Sequence, residues 1–143
     1  MNVVFNPTAT ARLKRLGVGL VYLIGSHARG EATALSDVDF AVAMKEPSKL
    51  KKFNSVYQSL YEVLAEGVRQ ALKNKTLRRP LTIDIVFLDT APLYYAIAAR
   101  DHGKILFEIS PRFRADFEAK TTIHYADFEP FRREQERATL QMI

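Results

Sequence analysis

Cysteine and tryptophan are absent from the 143-residue chain, histidine occurs three times, and glycine and proline six times each. Without cysteine there can be no disulfide scaffold, thiolate zinc site, iron–sulfur cluster or cysteine nucleophile. His27, His102 and His124 stand far apart in sequence, so a His-rich metal site is not expected. The longest apolar run, Val18–Gly25, is far short of the about 20 residues that cross a bilayer. The opening MNVVFNPTATARLKRLG lacks the basic, apolar and cleavage regions of a secretory signal, in that order. A cytoplasmic protein without membrane contact is therefore expected. No repeat, low-complexity tract or Gly/Ser/Pro linker divides the chain, so residues 1–143 read as one domain.

What is present is the composition of a folded domain, with 48% hydrophobic and 26% charged residues. A chain of this length buries roughly two-thirds of its unfolded surface. The net charge of +5 is concentrated. Arg69–Arg79 holds Arg69, Lys73, Lys75, Arg78 and Arg79 and no acid. Such a patch attracts polyanions, which keeps nucleic acid open as a partner. Its blander reading, a basic helix end, is favoured by the helix dipole.

Hydrophobic periodicity places a helix over Thr8–Leu16 and a buried strand over Val18–Ile24 that ends at Gly25. Ala28–Ala34 reads as a turn or short helical piece, and Val38–Met44 as a second strand, apolar on both faces. Ser48 is the expected N-cap of a long helix running to about Lys73. Its apolar stripe includes Phe53, Val56, Tyr57, Leu60, Leu64, Val68 and Leu72. Leu81–Leu88 is the third strand, with Asp89 or Thr90 capping a helix to about Arg100. After Gly103, Ile105–Glu108 is a short fourth strand, and Ser110-Pro111 opens a last helical region. Apolar strands alternating with helices give an α/β (α+β) class, a small sheet flanked by helices. Tyr125, Phe128 and Phe131 suit a partner interface, but their spacing is better read as core packing.

The stretch Gly25–Val42, GSHARGEATALSDVDFAV, carries the chemistry. Gly25-Ser26 ends a buried strand in a tight turn, where backbone N–H groups can approach and cradle phosphate. The Ser26 hydroxyl adds a donor, and Arg29 can pair with phosphate oxygens. Asp37 and Asp39 lie two apart at a strand start, so they project on one face. Paired carboxylates repel unless a cation neutralises them. Mg²⁺ does so through one or two carboxylates plus substrate phosphates. Asp84, inside the apolar LTIDIVFLD, is read as a buried acid that needs a partner and could complete a two-metal site. Asp89 competes for that role, but has the opposite strand parity and a helix to cap. Gly25 and Gly30 have P-loop spacing, yet Glu31 and Ala32 follow where Lys and Ser/Thr are needed. Each part alone is common turn punctuation. Gly, Ser, Gly, Ser, Asp and Asp at these six spacings are expected by chance in roughly one in 10⁵ chains of this length.

This stretch resembles the G-S-x-A-x-G…S-D-x-D signature of the DNA polymerase β-type nucleotidyltransferase superfamily. At this length the chain is similar to minimal nucleotidyltransferases, specifically the MntA-type antitoxins encoded beside HEPN-domain toxins. GKILFEISPRFRADFE, Gly103–Glu118, also resembles the C-terminal half of that family. The resemblance implies a nucleotidyltransferase fold with a mixed sheet. It implies that Gly25, Ser26, Arg29 and Ser36 bind the nucleotide and that Asp37, Asp39 and Asp84 bind two Mg²⁺ ions. Asp84 would also help deprotonate the acceptor hydroxyl. The implied reaction moves AMP from ATP to a hydroxyl, a tyrosine of a HEPN-type RNase toxin, within a hetero-oligomer. Two other readings stand beside it: neutralisation by stoichiometric binding, and transfer to RNA or a small molecule. His27 occupies a variable position and reads as a surface residue.

Overall fold

The computed structural model describes residues 1–33, 36–73 and 82–141. Helix α1 (Pro7–Arg15) is opened by Asn6, whose side chain accepts the Ala9 N–H at 2.8 Å. Strands β1 (Val18–Ile24) and β2 (Val38–Met44) flank the short helix α2 (Gly25–Arg29). A 3-10 turn at Pro47–Lys52 leads into α3 (Phe53–Leu72). Strand β3 (Ile83–Phe87), helix α4 (Leu93–His102), strand β4 (Lys104–Glu108) and helix α5 (Pro111–Gln141) complete the chain.

The sheet order is β3-β2-β1-β4. β1 pairs antiparallel with β2 and β4, while β2 and β3 run parallel, joined through α3. The sheet is therefore mixed, with helices on both faces, as expected. All of β1 is buried, as is β2 except Asp39, which explains their unbroken apolar runs. Val21, Leu23, Phe40 and Val42 face α1 and α3, which contribute Leu13, Leu60, Leu64 and Val68 to that layer. Leu20, Tyr22, Ile24, Ala41 and Ala43 face α4 and α5. Each large apolar side chain so buried contributes about 1.5–3 kcal/mol.

Two close ties fasten α5 to the sheet. The Phe113 ring lies over Gly19 so tightly that a Cβ there would collide with it. The buried Tyr22 hydroxyl donates to Glu118 Oε1 at 2.8 Å, and Arg114 Nε reaches the same oxygen at 3.1 Å. Burial, and then the Glu118 carboxylate, push the Tyr22 phenol well above its ordinary pKa.

Several expectations change. The helical piece expected at Ala28–Ala34 begins at Gly25, because the strand breaks there into left-handed backbone; Ala34 lies outside the described residues. Ser48 caps no long helix, since Pro47 starts a 3-10 turn and α3 opens at Phe53 without a side-chain cap. Neither Asp89 nor Thr90 caps α4, whose N-cap is Pro92. Ser110 does cap α5, its hydroxyl accepting the Phe113 N–H at 3.0 Å. Phe128 and Phe131 are 45% and 53% exposed rather than core, because among the described residues none buries that part of α5. They meet each other instead, ring centroids 5.7 Å apart. Leu81, and the Lys75, Arg78 and Arg79 of the basic segment, lie outside the described residues.

Candidate active site

Strand register assembles the centre. Ile24, the last residue of β1, pairs with Asp39 on β2, and Asp39 pairs with Asp84 on β3. Asp39 and Asp84 thus stand side by side on the sheet face that α4 covers. Gly25 follows Ile24 at φ +72, and a Cβ on it would lie 2.5 Å from Asp39 Oδ2. Both facts demand glycine: the backbone is left-handed, and the space is already filled by a carboxylate.

The electrostatics follow from that crowding. Partial burial, and next the neighbouring Asp84 carboxyl, which also hydrogen-bonds it, push Asp39 above the usual carboxylate range. The Asp37 charge adds to this, and His27 opposes it in smaller measure. One proton held between two carboxyls is the ordinary response to uncompensated negative charge. Asp84 differs from its sequence reading: it is exposed, because β3 is an edge strand whose middle positions open to solvent. It is therefore not a buried acid in need of rescue. Asp89 sits apart, its carboxylate accepting the Met44 N–H at 3.0 Å.

The other sequence candidates are distributed as follows. Ser26 lies in the first turn of α2. Arg29, at its end, lines the same cavity as Gly25, Asp39 and Asp84, and its guanidinium pairs with Glu31 at 3.1 Å. The Ser36 hydroxyl accepts the Thr33 N–H at 2.9 Å, bracing the loop before β2. Asp37 directly precedes β2.

The cavity measures about 560 Å³, within the range of small-molecule sites. Sequence reasoning missed four of its walls: Tyr57, Tyr94, Tyr95 and His102. It also missed His27, whose ring nitrogen lies 3.4 Å from the Ser36 carbonyl and whose charge acts on Asp39. The Tyr94-Tyr95 doublet at a helix start was the one available signal.

Among the described residues, no three His, Cys, Asp or Glu side chains converge as a ready metal cage. Mg²⁺ does not require one, since it takes one or two carboxylates and completes its shell with phosphate and water. The hard-oxygen pair Asp39–Asp84, under the added charge of Asp37, fits such an ion.

The fold is found in solved structures. A chain of a structure described as "the toxin-antitoxin with AMP-PNP" is 20% identical, with 92% of this chain and 98% of that chain covered and a TM-score of 0.58. One described as the toxin–antitoxin MntA–HepT is 18% identical, covering 94% and 99%, with a TM-score of 0.57. A third, the tri-AMPylated Shewanella oneidensis HEPN toxin in complex with MNT antitoxin, is 18% identical, covering 93% and 97%, with a TM-score of 0.55. At such identities the likeness concerns the fold. No curated protein matches the chain. The family model "Polymerase beta, Nucleotidyltransferase" matches residues 10–112. That span takes in β1, the turn at Gly25 and both acid-bearing strands, and the chain belongs to the polymerase beta nucleotidyltransferase family.

Proposed function

We propose that this chain is the antitoxin of a toxin–antitoxin pair and transfers AMP from ATP to a tyrosine hydroxyl of a HEPN-type RNase toxin, with pyrophosphate as the leaving group. The observation that carries the chemistry is the register Ile24–Asp39–Asp84, with Gly25 closed onto Asp39. The choice of partner is supported by the fold's likeness to a toxin–antitoxin structure with AMP-PNP and to an AMPylated HEPN toxin in complex with MNT antitoxin.

In this reading Asp37, Asp39 and Asp84 hold Mg²⁺. When bound, the metal offsets phosphate charge and makes the acceptor hydroxyl easier to deprotonate. The backbone at Gly25 and Ser26 positions the phosphates, with the Ser26 hydroxyl as a further donor. Arg29 supplies positive charge once it exchanges Glu31 for a phosphate oxygen. Ser36 acts by bracing the loop that presents Asp37. Asp84, exposed at the sheet edge, lies on the side from which an acceptor hydroxyl can enter, and accepts its proton. Nothing covalent is asked of the protein beyond placement and charge. AMP on a toxin tyrosine adds bulk and negative charge that repel an RNA backbone.

A second reading, neutralisation by binding alone, is favoured by the exposed Phe128–Phe131 pair on α5, which suits a partner contact whether or not transfer occurs. The deciding experiment mixes the chain with Mg²⁺, α-phosphate-labelled ATP and its candidate HEPN-type partner. Label on the partner, lost with Asp37→Asn/Asp39→Asn, is expected. A stable complex without label transfers the reading to binding alone. Label on RNA with no partner present overturns the choice of acceptor.

A further inference from the structure

We propose that Tyr94 and Tyr95 form the platform on which the base of the nucleoside triphosphate stacks; this rests on the nucleotidyl-transfer reading above and extends it to the other end of the substrate. The two rings stack at 4.3 Å between centroids, with planes 30° apart. Tyr95 packs against the hydrophobic layer that includes Val86 and Ala96, which anchors the pair. Tyr94 is 61% exposed, so its ring remains largely open. Both rings line the cavity that holds Gly25, Asp39 and Asp84.

Helix geometry sets the spacing. Tyr94, Ala98 and His102 recur every fourth residue on one face of α4, and all three line the cavity. The His102 end lies at the acids: α4 stops there, and Lys104 of β4 pairs with Leu23, next to the Ile24–Asp39 rung. Tyr94 is eight residues, or about 12 Å, further along the helix. Asp39, Asp84, Arg29 and His102 line the same cavity as Val86 and the two tyrosines, and on α4 His102 and Tyr94 bracket its helical wall. Between them Ala98 offers only a methyl group, which leaves room for a sugar. A nucleotide lies along α4 with its phosphates at the acids and its base on Tyr94.

Stacking on an aromatic face is sequence-tolerant, because every base has a π-face. Removing one such ring typically weakens binding by about 5- to 150-fold. The test is calorimetric titration of the full chain with AMP-PNP and, separately, tripolyphosphate, both in Mg²⁺. Tyr94→Ala is expected to weaken AMP-PNP by that factor and leave tripolyphosphate unchanged, while Tyr94→Phe restores AMP-PNP. Unchanged AMP-PNP binding in Tyr94→Ala overturns the platform alone. An equal loss for both ligands also overturns it, by showing that the substitution damages the phosphate end. Wild-type protein that binds neither ligand overturns the platform together with the transfer reading.

Discussion

Gly25 leaves no room for a side chain against Asp39: the carboxylate oxygen lies 2.5 Å from where a Cβ would be. The turn at Gly25 and the Asp39 carboxylate are thus one packed unit. Gly25→Ala must either push Asp39 aside or move the turn, and alanine in left-handed backbone costs about 1–2 kcal/mol by itself. A displacement of 1 Å at reacting groups can cost about 100-fold in rate. We expect Gly25→Ala to fold with a lowered melting temperature and to lose AMP transfer by about that factor. Wild-type transfer rates in the variant would contradict this.

The Asp39 charge is costly to the fold. The carboxyl sits above the usual range, so the folded state holds its proton more tightly than the unfolded chain does. Stability accordingly falls as pH rises from the ordinary carboxylate value through the raised one. Asp39→Asn removes the charge. The variant is expected to melt higher than wild type at neutral pH and to lose that part of the pH slope. Mg²⁺ should raise the wild-type melting temperature and do less for the variant. Scanning fluorimetry from acid to neutral pH reads both effects.

Asp84 and Asp89 lie five residues apart and should separate cleanly. Asp84 is exposed, so Asp84→Asn is expected to leave stability within about 0.5 kcal/mol and to reduce transfer about 100-fold or more. Asp89→Ala leaves the N–H of buried Met44 without its acceptor, at a cost of about 1–3 kcal/mol, while the folded fraction keeps its transfer activity. Denaturant melts beside single-turnover rates would show the opposite pattern if the two roles were exchanged.

The seat of α5 gives a coupled pair. Gly19→Ala collides with the Phe113 ring, and overpacking of this kind costs about 1–3 kcal/mol. Phe113→Ala loses the ring's own contacts. Once the ring is gone the added methyl has space, so the double variant should be more stable than the sum of the two losses implies. Strict additivity in urea melts would refute the contact.

The parts of this fold that were legible are those that local pattern determines. β1 and β2 are buried on both faces and read as continuous apolar runs. Asp39 lies on the strand the sequence places it in, while Asp37 stands just before that strand and acts on Asp39 through its charge. Asp84 is not the buried acid its neighbours suggest, since Ile-Asp-Ile-Val-Phe reads as buried although the strand lies at the sheet edge; strand order is absent from local pattern. Ser48, Asp89 and Thr90 had the chemistry of caps, but a 3-10 turn and Pro92 took those places. Tyr94, Tyr95 and His102 enter the cavity only because α4 runs back across the sheet, a tertiary fact. The Phe128–Phe131 spacing defines a helix face and says nothing of what lies opposite it.

The sheet order also gives the two halves of the acid pair different lifetimes. β1 and β2 are interior strands, each bonded on both sides; Asp39 lies on β2, and Gly25 directly follows β1. Their amides should exchange with solvent only when the whole domain opens. Asp84 hangs from β3, bonded on one side alone, and such edges open in smaller, more frequent events. The centre therefore has a fixed jaw and a breathing one. In the transfer reading proposed above, the breathing jaw is the one that takes the acceptor's proton.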